Sequence, residues 1–433
     1  MVPSTSFIVL ALTLCTFISV ADVNYVFDID NAVISPDGYS RVRVVVNGGY
    51  PSTLIKAQKD NILHITMNNK LTDLSMRQST SIHWHGLPQK MDLALSTNVL
   101  YHHNTHTPMT YHSHLSSQYV DSLRGPMVIY NPEDPHLSLY DIDDENTVIT
   151  LEQQTLMSKQ IPDSGLINGV GRFNGGPQVP WARINIERGK RYCFCVINIA
   201  GYAGFTFSID KHELTVIEID GISHKPITVE GFEVFAGQHK ASLLMDEENV
   251  FAVLHYIGAL ESADPKGKPK RLKAMTSAVT METKEIILDK GGIKTLKESN
   301  LHPLFNMEAP GGSGPADQVI DQNSMLEWTV NNVRYQPPNL PMLPNIIANN
   351  FTSPSQFSPS ENTIVLERDQ VIELHIHGSV NGHTHPFHLH GHVFSVVQGH
   401  DGPANYANPP QRDVVGVKGG TVIICFKTDN PRP

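Results

Sequence analysis

The chain has 433 residues, 40% of them hydrophobic and 17% charged, with a formal net charge of −11. This globular, acidic composition excludes a disordered tail, a multi-span membrane protein and the clustered basic surface that nucleic acid needs. Its 31 glycines and 29 prolines suit a loop-rich β protein better than a helix bundle, and the length predicts about three domains.

At the N-terminus, residues 7–20 (FIVLALTLCTFISV) form an apolar run of 14. The run is too short to cross a bilayer and sits where the hydrophobic stretch of a secretory signal peptide belongs. Small residues at Ser19 and Ala21 predict cleavage after Ala21, with residues 1–21 as the signal peptide and a secreted, extracellular product. A membrane anchor is the alternative, but no later segment resembles a span, so no membrane association is expected.

Alternating, β-branched segments follow at 41–46 (RVRVVV) and 61–67 (NILHITM), and 125–130 (GPMVIY) reads as a closing strand. The acidic loop at 131–145 then gives a boundary, so the first module is 22–146. A fresh strand at 147–151 opens the second, 147–300, with further strands predicted at 183–187, 205–209 and 214–219. The Gly-, Pro- and Asn-rich stretch at 300–316 opens a third, 301–433, with a strand predicted at 362–367 (NTIVLE). Long 3.6-residue periodicity is scarce, so the expected architecture is all-β, in sandwich or barrel modules. Residues 265–273 (PKGKPKRLK) read as a solvated loop, and the GVGRFN segment at 169–174 as a turn that fails the dinucleotide fingerprint at its last position.

Asn350-Phe351-Thr352 is a glycosylation sequon. With Cys15 in the signal peptide, Cys193, Cys195 and Cys425 remain, an odd number for a secreted protein. Cys193 and Cys195 share one face of a strand-like segment. They read as two buried thiols, with a soft-metal pair as the alternative.

The chemistry lies in the histidines. Of the 22 in the chain, 15 fall between His83 and His114 or between His375 and His400. Three clusters stand out: His83-Trp84-His85-Gly86, His112-Ser113-His114, and His385-Pro386-Phe387-His388-Leu389-His390-Gly391-His392. In a strand, residues i and i+2 point the same way about 6.6–7 Å apart. That spacing suits two imidazoles that serve different ions of a metal cluster better than a chelate of one. Imidazole suits Cu, Zn, Fe and Ni, with Cu(II) the tightest of the divalent series, and no carboxylates flank the clusters as Mg or Ca would demand. His102, His103, His106, His375 and His377 read as structural or solvated. Zinc-hydrolase HExxH, G-x-S-x-G and P-loop signatures are absent from the sequence.

These three clusters, in this order, resemble the first three copper motifs of multicopper oxidases, and most closely those of fungal laccases. Supporting segments are 32–38 (AVISPDG), 116–119 (SSQY), 123–126 (LRGP), 132–136 (PEDPH), 166–171 (LINGVG), 207–210 (FSID) and 406–409 (YANP). The resemblance implies three cupredoxin-like (plastocyanin-like) Greek-key β-sandwich domains holding copper. Phenolic small molecules would be oxidised by one-electron steps at a type 1 copper, with O2 reduced to water at a trinuclear cluster. It also implies a monomer and a setting in lignin or pigment chemistry. By motif, His83 and His388 match type 2 ligands, His85 and His112 one type 3 copper, His114 and His390 the other, and His385 a type 1 ligand.

The sequence also departs from the family. The fourth motif, His-Cys-His, follows a segment like 426–431 (FKTDNP) in relatives, whereas the residues given end at Pro433. The expectation is therefore a third module that is incomplete, a type 1 site without its cysteine, and impaired turnover. The segment 87–110 is shorter than in relatives, and Val120 and Ala200 stand where many laccases pair cysteines. A non-enzymatic copper-binding remnant is the alternative function.

Overall fold

A computed structural model describes residues 21–430 except 88–96, 101–106, 155–162, 174, 202–203, 238–249, 260–293, 324–328, 337, 339–341, 352, 379–383 and 401. The predicted signal segment, the basic stretch at 265–273, His102, His103, His106 and much of 87–110 therefore lie outside the described residues.

The first module is a sandwich of two four-stranded sheets. In one sheet the long strand Asp22–Ile34 runs parallel to Ile62–Asn69 and antiparallel to Arg41–Val46. In the other, Ile82–His85 pairs with Thr107–Ser113, which pairs with Arg124–Tyr130. Alternation along the strands sends Phe27, Ile29, Leu63 and Ile65 from one sheet toward Trp84, Met109, Tyr111 and Met127 of the other, and all eight are buried. Burial of that apolar face is what fixes the register, because a slip of one residue would turn every side chain to the opposite face.

In the second module Val148–Gln154 lies between Ser164–Ile167 and Cys195–Asn198. The tight turn at Asn168-Gly169, both residues at positive φ, joins Ser164–Ile167 to Val170–Gly171, so the turn read at 169–174 begins one residue earlier and gives way to a strand at 170–171. Leu214–Ile219 and Ile222–Val229 form a hairpin beside it. Its core contains Ile149, Leu151, Ile184, Val196, Phe205 and Val234.

The third module carries a seven-stranded sheet in which Val371–Gly378 runs between Gln318–Asn323 and Gly420–Lys427. Against it lies the antiparallel pair His385–His388 and Val414–Val417. Ile372, Ile376, Phe394, Val415, Val417 and Ile424 fill the space between. The architecture is thus all-β with cupredoxin-like sandwiches, and one α-helix, Met342–Asn349, stands among the described residues. Asn350 follows it, exposed and left-handed (φ 52°), as suits an asparagine just past a helix end.

One predicted strand fails. Residues 362–367 form no ladder, and the strand begins only at Val371. Asn362 is left-handed (φ 50°), and the Gln370 side chain accepts the Glu367 N–H. The alternation there places Ile364 and Leu366 against the third core, so the pattern serves packing and not pairing.

Buried ion pairs tie the modules together. Arg412 is 1% exposed and its Nε lies 3.2 Å from Asp220 of the second module, while Nη1 contacts Glu298. Arg124, fully buried, donates to the Tyr50 hydroxyl and to the Gln153 carbonyl, 2.8 and 2.7 Å away. Arg412 thus joins the third module to the second, and Arg124 the first to the second.

Candidate metal centre

The centre begins with strand alternation. In the ladder between Ile82–His85 and Thr107–Ser113, His83 stands opposite His112 and Trp84 opposite Tyr111. Opposed residues share a face, so Trp84 and Tyr111 enter the first core while His83, His85 and His112 face away from it. The third module brings its own rings to the same place. His390 stacks on His83 with centroids 4.0 Å apart, and His388 stacks on His85 at 3.7 Å. His114 completes the group, 5.5 Å from His83 and 5.0 Å from His390 between centroids. Six predicted site histidines therefore meet at the interface of two modules.

His385 does not share that face. It lies three residues before His388 in the strand His385–His388, opposite Val417. An odd offset in a strand points two side chains to opposite faces, so His385 is directed to a separate place.

The inward nitrogens are poised to bind. His388 Nδ1 donates to the Asp413 carbonyl at 2.8 Å and His112 Nδ1 to the Ser113 carbonyl at 2.9 Å. These bonds fix the tautomers and leave each Nε2 a bare lone pair. Nε2 of His83, His85 and His388 is buried without a hydrogen-bond partner. A buried polar atom left unpaired costs roughly 1–3 kcal/mol, a cost that a bound cation removes. Donor atoms of His83, His388 and His390 lie within 4.8 Å of one another, as do those of His83, His85 and His112.

Burial also sets the protonation state. It holds His83 and His85 well below the usual imidazole range, with neighbouring imidazoles adding to the effect. His112 is lowered to about 4, His388 to about 3 and His390 to about 4, again chiefly by burial. Neutral imidazole is the ligating form, so these rings are ready to bind a metal at neutral pH. An imidazole-rich donor set, with the Asp413 carboxylate beside His85 and His388, fits copper by its chemistry.

Three further residues shape the centre without being predicted as site residues. Asp413 places a carboxylate oxygen 3.9 Å from both His85 Nε2 and His388 Nδ1, and burial followed by repulsion from Asp220 pushes its pKa far up. It precedes Val414, the ladder partner of His388, a register no sequence pattern announces. Tyr119 stacks on His112 at 4.0 Å and donates to the Ala200 carbonyl. Gly237, from the second module, has φ +70°, and a Cβ there would lie 2.8 Å from His85 Cε1.

The cysteines stand apart from this centre. Cys195 is buried in the cluster with Val128 and Ile197, whereas Cys193 is only half-buried, a correction to the expectation of two fully buried thiols. Both line a cavity of about 500 Å3 in the second module, and burial pushes both thiols far up. Cys425 donates to the Pro310 carbonyl. Among the described residues no cysteine belongs to a group of three or more candidate metal ligands.

Comparison with known proteins agrees with this geometry. Multicopper oxidase family models match residues 28–134, 138–259 and 335–433. Laccase-4 of Thanatephorus cucumeris is 42% identical, the alignment covering 95% of this chain and 85% of that protein. The chain belongs to the multicopper oxidase family, among the fungal laccases. Laccase-2 of Agaricus bisporus is 37% identical over 94% of this multicopper oxidase and 84% of its own length. Among solved structures, the laccase of Botrytis aclada superposes with a TM-score of 0.71 at 24% identity, covering 95% of this chain and 84% of that one. Fet3p, described as a multicopper oxidase that functions in iron import, gives 0.72 at 21% identity, covering 95% and 86%. At that identity the structural likeness establishes the shared cupredoxin architecture. Family membership makes this chain a copper-dependent oxidoreductase.

Proposed function

We propose that this multicopper oxidase is of the laccase type, taking electrons singly from phenolic small molecules and delivering them to O2. The observation that carries the reading is the pair of cross-module stacks, His83 on His390 and His85 on His388, with buried nitrogens left unpartnered between them. In this reading His83 and His388 hold a type 2 copper, His85 and His112 one type 3 copper, and His114 and His390 the other. His85 Nδ1 and His112 Nε2, 3.5 Å apart, support the first type 3 pair. His385, directed to the other strand face, is assigned to the type 1 position.

Copper, when bound, supplies the one-electron chemistry and the oxygen reduction. The chain's own residues supply the rest. The carbonyls of Asp413 and Ser113 aim His388 and His112. Burial keeps the imidazoles neutral, and Tyr119 and Gly237 hold His112 and His85 in place.

The residues through Pro433 contain no His-Cys-His segment, and no described cysteine lies among the histidines. We therefore propose that a polypeptide of these 433 residues alone is impaired in turnover, because the type 1 position lacks its cysteine ligand. That is the second reading, a copper-binding protein without phenol oxidation. Metal analysis of the recombinant chain, with oxygen uptake on a diphenol, tests both. Copper bound without uptake supports the second, copper with uptake supports the first, and no copper at all overturns both.

The proposal extends to domains at 22–146, 147–300 and 301–433, to secretion after cleavage at Ala21, to a monomer, and to carbohydrate on Asn350. The exposure of Asn350 beyond the helix supports the last of these.

A further inference from the structure

The strand Arg41–Val46 (RVRVVV) sets two arginines among valines. Val44 and Val46 point into the first core, so Arg41 and Arg43 occupy the opposite face. Arg43 is nevertheless 0% exposed. Its Nε, Nη1 and Nη2 are all buried without a hydrogen-bond partner, and so are Nε and Nη1 of the fully buried Arg124. We propose that Arg43, with Arg124 beside it, holds a small monovalent anion of the chloride kind, at a site apart from the copper histidines.

The nearest carboxylate serves another arginine. Asp121 Oδ1 accepts from Arg41 Nη2 at 2.8 Å, whereas Arg43 Nη1 stands 3.8 Å from the same oxygen, beyond hydrogen-bonding distance. Arg124 Nη2 is engaged by the Tyr50 hydroxyl and the Gln153 carbonyl, which leaves its other two nitrogens free. Ser122, next to Asp121 in the chain, is also fully buried with its hydroxyl unpartnered, and its backbone is left-handed (φ 93°). Strain of that kind at a non-glycine residue persists only where the surroundings impose it.

The charges do not balance. Arg41 and Arg124 both oppose the charge of Arg43, and Asp121 is the carboxylate that favours it; Glu152 acts on Arg124 from the other side. Three guanidinium cations thus meet two carboxylates, and one monovalent anion closes the difference. Burial, followed by repulsion from Arg41, pulls Arg43 down to about 10, so it stays charged at neutral pH. A buried cation with every donor unmet is costly, and like charges beside it add to the cost. Water is a poor remedy, because each molecule brings two donors with the bonds it accepts, and Arg43 lacks acceptors. A halide brings acceptor capacity and no donor, and the guanidinium fork presents several N–H groups to it at once.

The test is anomalous diffraction at the bromine edge from crystals of the copper-treated full chain grown in sodium bromide. A peak at hydrogen-bonding distance from the Arg43 nitrogens, on the side of Arg124, is the expected result, and no peak at Arg43 overturns the site. Thermal melts of the same protein, exchanging sodium gluconate for sodium chloride at constant ionic strength, give a second readout. Tm should rise by about 2 °C for each tenfold increase in chloride above the dissociation constant. Arg43→Met, in which Arg41 still pairs with Asp121, should lose that dependence. A chloride dependence equal in parent and variant overturns the site by placing the anion elsewhere, at copper for instance. If Arg43→Met does not fold, the bromide peak in the parent decides alone.

Discussion

The His83 and His390 rings lie 4.0 Å apart and only 10° from parallel, one contributed by the first module and one by the third. Neither module alone can assemble the centre. Its geometry depends on how the sandwiches dock, and the docking rests on buried charges as much as on apolar surface.

Arg412 shows this dependence. It reaches from the strand Gln411–Arg412 to Asp220 and Glu298, and its neighbour Asp413 supplies the carbonyl that holds His388. Arg412→Met leaves the buried Asp220 and the half-buried Glu298 without their cation, a loss of about 3–5 kcal/mol. Chemical denaturation should show that loss, and copper content should fall with it because the His388 carbonyl partner shifts.

Gly237 is the second module's hold on the centre. With φ +70° and a prospective Cβ 2.8 Å from His85 Cε1, Gly237→Ala both strains the backbone and pushes the ring. The expected outcome is destabilisation of about 1–2 kcal/mol and copper affinity reduced about tenfold. Thermal melts with and without added copper measure the two effects separately.

Tyr119 bridges the first and second modules through its ring on His112 and its hydroxyl on the Ala200 carbonyl. Tyr119→Phe keeps the stack and loses one hydrogen bond, about 1 kcal/mol, with copper binding intact. Tyr119→Ala removes both and should lower copper occupancy as well. Metal analysis of the two variants separates the ring's role from the hydroxyl's.

The copper-free protein should be acid-sensitive. Folded-state pKa values near 4 for His112 and His390 and near 3 for His388 lie below the unfolded value of about 6.5. The unfolded chain therefore binds more protons as pH falls. Stability is full above pH ~6.5 and is lost progressively as pH falls toward 3–4. His112 alone, only 6% exposed, is worth about 3 kcal/mol across that window. Thermal melts in chelator between pH 7 and pH 4 should show a falling Tm, and a Tm that rises on acidification contradicts the assignment of buried, neutral imidazoles.

Much of the centre is legible in the chain because strand periodicity is short-range. The two-residue repeat in His83-Trp84-His85 and in Tyr111-His112-Ser113 splits each segment into a core face and a ligand face, and the structure keeps that split. Docking is not short-range. Nothing near His388 announces that it will stack on His85, that Asp413 will stand behind both, or that Gly237 will brace the ring. The 362–367 segment misleads for a related reason: its alternating apolar residues pack from a chain that a left-handed Asn362 keeps out of the sheet.

The most direct test of the central claim is anomalous diffraction at the copper edge from crystals of the full chain grown with copper. Peaks are expected within about 2 Å of the ring nitrogens of His83, His85, His112 and His388, between the first and third modules. Copper located only elsewhere, with these nitrogens binding nothing, would contradict it.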